Sequence, residues 1–195
     1  MFATGGFVFS SPPVVSQTWE EAMGFYEFEG KQPTVGAEAF VHPEATLIGG
    51  VTIGEGCYIG AGAVLRADWG NIVIGPGSNI QENCVLHVRP DEVMVIGPSC
   101  HIGHGAIVHA TSLGYHVVVG MRAVIHDGVV IGDEALIGAA CVVLSDTEIP
   151  GGKVVVGVPG RIVGEVSEEQ KAEWAWGLGL YQALPSRCLK SMRRL

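Results

Sequence analysis

His87, His104 and His109 fall close together in a chain of 195 residues. Neutral imidazole is the commonest protein ligand for metals, and three imidazoles with a fourth position open form a catalytic zinc arrangement. Zinc held that way lowers the pKa of a bound water from about 15.7 to about 7, which makes hydroxide available at neutral pH. Whether these three histidines can meet depends on the elements that carry them.

Those elements are set by a six-residue period. Apolar residues recur as Val35, Val41, Leu47, Ile53, Ile59, Leu65, then as Ile74, Ile80, Leu86. They resume as Ile96, Ile102, Val108, and again as Leu113, Val119, Ile125, Ile131, Ile137, Val143, with Ile149 and Val155 continuing. Fixed-period self-similarity of this length means a solenoid. A helix of about 3.6 residues per turn cannot put every sixth residue on one face, whereas short strands with glycine at the corners can. Gly36, Gly54, Gly60, Gly75, Gly97, Gly103, Gly120 and Gly138 all follow the apolar residue. Each apolar residue then points into one continuous core.

The bulk properties fit a globular chain: 48% hydrophobic, 16% charged, with 29 glycines in phase with the repeat. The net charge of -9 argues against nucleic acid or an anionic membrane as partner. No apolar run reaches the ~18 residues of a membrane span. The start, MFATGGFVFSSPPVV, has no basic leader segment and reads as no signal peptide. Five cysteines (Cys57, Cys84, Cys100, Cys141, Cys188), odd in number and without CxxC spacing, read as buried and reduced in a cytoplasmic protein.

Residues 1–28 are expected to form an extension, helical in part at Trp19 to Met23, and residues 29–165 the solenoid. Residues 166–195 are expected to be helical. Ser167 and Gln170 form a capping-box pattern, opening a helix to about Trp176. Gly177 and Gly179 are expected to break it before a second helix from about Leu180 to Arg193. Such a segment packed along the solenoid would cover one flank.

The repeat resembles that of hexapeptide-repeat proteins, which form a left-handed parallel β-helix. The resemblance implies three hexapeptides per triangular coil. The apolar residues then sort into three columns, with loops expected near Ala67 to Ile72 and at Val88 to Val95. The third column is Leu47, Leu65, Leu86, Val108, Ile125, Val143, and the residues after them are Ile48, Arg66, His87, His109, His126, Leu144. Alternation along a strand turns these outward, so His87 and His109 stack on neighbouring coils, about 4.7–4.9 Å apart at the backbone. His104 follows Ile102 of the middle column and leaves from another part of the triangle. A trimer would let a neighbouring subunit supply it.

NIQENCVLHV, HIGHGAIVH and the LRAD at residues 65–68 together resemble the γ-class carbonic anhydrase family over about residues 30–165. That resemblance implies a homotrimer holding Zn2+ (or Fe2+ or Co2+) at each interface, with His87 and His109 from one subunit and His104 from the next. Its activity is attack of metal-bound hydroxide on CO2, giving bicarbonate. Arg66 and Asp68 match the family's Arg-Gly-Asp, with Ala67 in place of glycine. An interface ion pair and a direct chemical role both stand for this pair. Gln81 matches a residue near the metal-bound water, and Glu82 stands where the family has aspartate. Asn83 reads as a coil-turn residue, and His42, His101 and His116 as structural. His126 is either a surface histidine or a group behind the site. The Val88 to Val95 loop is short. Its Asp91 and Glu92 read as solvated charges rather than a proton shuttle.

The ending YQALPSRCLKSMRRL is similar to a subfamily associated with phenylacetic acid degradation and carnitine metabolism. It implies an alternative substrate, an acyl-CoA thioester, by hydrolysis or acyl transfer. Tyr181 either approaches the metal site or packs the helix onto the prism. A non-catalytic trimeric scaffold with a retained metal site is the third reading.

Overall fold

A computed structural model describes residues 24–109 and 112–195. The extension before residue 24, including the helical stretch expected at Trp19 to Met23, lies outside the described residues. The chain winds as a parallel β-helix of short strands, most of them two residues long. Strand pairing reproduces the three columns residue by residue. The first aligns Val35, Ile53, Ile74, Ile96, Leu113, Ile131 and Ile149. The second aligns Val41, Ile59, Ile80, Ile102, Val119, Ile137 and Val155. The third aligns Leu47, Leu65, Leu86, Val108, Ile125 and Val143, and Phe25 of the strand Gly24–Tyr26 extends it by one place. These side chains form a single buried core. Cys57, Cys84, Cys100 and Cys141 lie within it as free thiols, and Cys188 is free and buried elsewhere.

The loop expected near Ala67 to Ile72 is absent. Val64–Ile74 is one continuous strand. Its partner Thr46–Ile53 pairs Gly49 with Ala67 and then Gly50 with Asn71, so Asp68, Trp69 and Gly70 are extra residues taken up as a bulge. A bulge inserts residues while both flanks keep their ladder, and it turns side chains away from the regular register. Gly70 is required there, because a Cβ would collide with the carbonyl oxygen of Glu92. The expected loop at Val88 to Val95 is shorter than its bounds, since Val93–Ile96 is a strand.

An antiparallel hairpin, Lys153–Gly157 with Gly160–Glu165, closes the far end. The single helix α1 (Glu168–Ser191) follows. The break expected at Gly177 and Gly179 does not occur. Each glycine costs about 1 kcal/mol in a helix interior, but α1 is anchored at both ends. Ser167 caps it through the full capping box with Gln170. Near its C-terminal end Tyr181, Leu184, Cys188 and Leu189 pack on Phe40 and Tyr58 of the prism. Ser167→Ala should lose about 1 kcal/mol, lowering the thermal midpoint by roughly 2–4 °C. A circular dichroism melt unchanged within 1 °C would show the cap to be dispensable.

Candidate functional site

Two groups of polar side chains stand on the prism, and both arise from the stacking of coils. The first lies beside the third column. Leu86 points inward, so the next residue, His87, faces outward from the strand Val85–His87, and His109 sits one coil on. The two rings are 4.8 Å apart between centroids, with His87 Nδ1 2.7 Å from His109 Nε2. Each ring's other nitrogen is held by a carboxylate. His87 Nε2 lies 3.1 Å from Asp68 Oδ1, and His109 Nδ1 makes a short contact with Asp127 Oδ1. The bulge is what brings Asp68 to His87, and it brings Trp69 as well, 4.9 Å from the His87 ring. Arg66 pairs with Asp68 at 2.6 Å and lies over Trp69.

Electrostatics keep these groups in defined states. Burial alone would raise the pKa of Asp68, but hydrogen bonds from Arg66 and His87 outweigh it and hold the carboxyl below its usual range. Burial, reinforced by the Arg66 charge, lowers the pKa of His87 and favours the neutral imidazole. A neutral ring is the form that ligates a cation.

The second group surrounds His104, which leaves the corner after the middle column. His104 stands one coil beyond Glu82, by the same step of 22 that separates His87 from His109. Its Nδ1 lies 2.7 Å from Glu82 Oε2. Tyr58 donates to Glu82 Oε1 at 2.8 Å. Burial acts to raise the Glu82 pKa, but the Glu82 backbone N–H, Tyr58 and His104 together lower it below the usual range. Gly60 makes room: a Cβ there would stand 2.7 Å from Glu82 Oε1. Gln81 is buried, donates to Asn79 at 3.0 Å, and accepts from the His104 backbone N–H at 3.1 Å. Its amide nitrogen lies 2.6 Å from His101 Nε2. Tyr181 reaches in from α1, its hydroxyl 3.4 Å from His104 Nε2 and its ring 5.0 Å from His101.

Thus His87 and His109 are brought together with Arg66 and Asp68, while His104 stands apart with Gln81, Glu82 and Tyr181. Among the described residues no cluster of three or more metal-ligating side chains forms within one chain. The donor chemistry nonetheless suits a divalent cation. All three histidines bond one nitrogen to a carboxylate of their own, the outer-sphere pattern that orients metal-binding imidazoles. The nitrogens not held by carboxylates are His87 Nδ1 and His109 Nε2, which face each other, and His104 Nε2, which faces the Tyr181 hydroxyl.

Tyr181 therefore both packs and approaches His104. The Arg66–Asp68 pair forms within the chain and orients His87. His126 is exposed, and its neighbour Asp127 is the residue that holds His109. His101 lies in the strand His101–Ile102 and contacts Gln81 and Tyr181 of the second group. Tyr58 and Asp127 were missed in the sequence. Asp127 carried a signal, since it lies 18 residues after His109, the length of one regular coil. Glu92 is tied to Arg89 at 2.6 Å, so that short loop offers no free glutamate.

This architecture of stacked hexapeptides is that of the hexapeptide-repeat proteins. Residues 32–67 match the family model described as bacterial transferase hexapeptide (six repeats), and residues 110–145 that of the hexapeptide repeat of succinyl-transferase. The chain belongs to the family of the carnitine operon protein CaiE: it is 41% identical to the protein of that name from Escherichia coli (strain K12) over 170 residues, 87% of each chain. This is a subgroup that the C-terminal motif indicated. Among solved structures, a putative acetyltransferase of Bacillus cereus superposes with a TM-score of 0.80 at 28% identity, covering 83% of this chain and 94% of that one. A hexapeptide transferase family protein from Anaplasma phagocytophilum also reaches 0.80, at 30% identity, covering 85% and 98%. No helix among the described residues is long and apolar enough to cross a membrane.

Proposed function

We propose that this chain cleaves an acyl-CoA thioester, passing the acyl group to water or to a small acceptor, at a site completed between copies of the chain. The observation that carries the reading is the set of three histidine–carboxylate pairs, split over two faces of the prism. His87 and His109 of one copy with His104 of a neighbour would hold a divalent cation, Zn2+ foremost. A homotrimer supplies three such junctions. Val85 and Ile107, adjacent in register and half exposed beside the two histidines, offer the apolar surface that a neighbour would cover. The likeness to an acetyltransferase at 28% identity favours thioester chemistry over carbon dioxide hydration.

When bound, the cation supplies a Lewis acid and acidifies a coordinated water. The chain's own residues do the rest. Asp68, Asp127 and Glu82 fix which nitrogen of each ring is free. Arg66 holds Asp68 in place. Burial and the nearby Glu82 charge keep the Tyr181 phenol protonated, since both raise its pKa. Its O–H is therefore available to donate to a thioester carbonyl oxygen as negative charge develops there. Attack at the carbonyl carbon breaks the C–S bond, and the proton lost by water or acceptor ends on the CoA thiol.

The test joins metal analysis and solution mass to a panel of acyl-CoA thioesters. Metal-dependent release of free CoA from a trimer, abolished by chelation, is expected. A metal-loaded trimer that releases no CoA from any thioester overturns the reading. Carbon dioxide hydration is the second reading, favoured by the neutral, all-imidazole donor set. Stopped-flow hydration assays decide it, with slow turnover expected because Glu92 is engaged by Arg89. Independently of substrate, Asp127→Asn should weaken metal affinity about 10–100-fold while leaving the fold intact. Titration calorimetry reads this; unchanged affinity would show that Asp127 does not orient His109.

A further inference from the structure

A cavity of about 200 Å³ lies between α1 and the prism, apart from the leftover nitrogens of the three paired histidines. Its wall is His101, His116 and Val118 from the coils, and Glu173, Trp174, Trp176, Gly177 and Leu178 from the helix. This is below the range of drug-sized pockets, so it suits a group of few heavy atoms.

Three features of the wall define what it would take. Two indoles line it, Trp174 half-buried and Trp176 largely exposed, and Trp is the best aromatic partner for a cation. The one carboxylate, Glu173, meets no lysine or arginine among the lining residues. Burial holds the His101 ring neutral, its pKa pushed down to about 4. His101 therefore brings no positive charge to the wall at neutral pH.

Two further details describe the wall. Gly177 lies inside α1, and a Cβ there would meet nothing within 4 Å, so a side chain is sterically free at that position. His116 Nε2 is buried with no hydrogen-bond partner among the described residues, as in a wall that the chain's own groups leave incomplete.

We infer that this cavity binds a small organic ammonium ion, its charge against Glu173 and its alkyl groups against Trp174 and Trp176. The inference does not rest on the thioester reading. The site adjoins that chemistry through His101, which touches Gln81 on the side away from the helix.

Choline and its uncharged carbon isostere, 3,3-dimethyl-1-butanol, make the decisive pair of probes, titrated into the full chain and followed by tryptophan fluorescence. Saturable choline binding is expected, with the isostere about tenfold weaker. Equal binding of the two, or no saturable response to choline, overturns the inference. Glu173→Gln should weaken choline several-fold without changing the isostere. Gly177→Leu fills the cavity from a position where a side chain is sterically free. It should abolish choline binding while the thermal midpoint stays level or rises; retained binding would place the ligand elsewhere.

Discussion

Mixing two inactive variants should restore activity. His109→Ala leaves His87 without its partner, and His104→Ala removes the contribution of the second face. Each alone is expected to lose roughly 10²–10⁴-fold in CoA release, the scale for an essential group in proton transfer or metal-assisted attack. On the proposed trimeric reading, unfolding the two proteins together and refolding them as mixed trimers would produce junctions in which an intact His87–His109 pair faces an intact His104. With equal amounts and random assembly about one junction in four is restored. Recovery near a quarter of native turnover is the expected reading. If both variants are inactive and mixing restores nothing, His104 serves its own chain and the split site is wrong. Circular dichroism and solution mass of each variant keep a folding defect from imitating that result.

The largest effect on stability is expected at Leu86. Its side chain is fully buried between Leu65 and Val108 in the third column, and His87 is the next residue. Leu86→Ala leaves a cavity that neighbours held by coil-to-coil ladders cannot readily fill. The cost should be about 2–5 kcal/mol, or roughly 5–15 °C in thermal midpoint for a chain of this size. Because His87 rides on the same strand, metal affinity should fall together with the midpoint. A melt lowered by less than 2 °C would show that the column is not stacked as described.

The inward-facing residues were legible in the sequence because the period of six is a direct record of which side chains must avoid water, and the resemblance to hexapeptide-repeat proteins, with three hexapeptides per coil, sorted them into columns. Stacking of His87 on His109 followed from those columns, and so did the separation of His104. The bulge was not legible. Residues 67–72 break the period, and a break in a period does not distinguish an excursion from an extended strand carrying extra residues. Backbone pairing on both flanks decides it. The continuity of α1 through Gly177 and Gly179 was hidden for a related reason. Local propensity argues for a stop, and the docking of Tyr181, Leu184 and Cys188 on Phe40 and Tyr58 overrides it. The Glu82–His104 contact could have been found by the arithmetic applied to His87 and His109. Asp127 required noticing that the following coil has the regular length of 18, so that the residue after His126 comes within reach of His109.

The three surplus residues at Asp68, Trp69 and Gly70 also separate the length of the chain from the alignment of the core. Both flanks of the bulge keep their partners, and the next coil, lengthened at the same corner by residues 88–92, pairs with it through Asn71 and Asp91 backbone N–H groups, so the core columns stay aligned. A corner of this prism is therefore a place where residues can be gained while every stacked layer beyond it stays in step. In this chain the gain brought a carboxylate and an indole to His87. New chemistry on such a scaffold can come from lengthening a corner, without exchanging any residue of the interior.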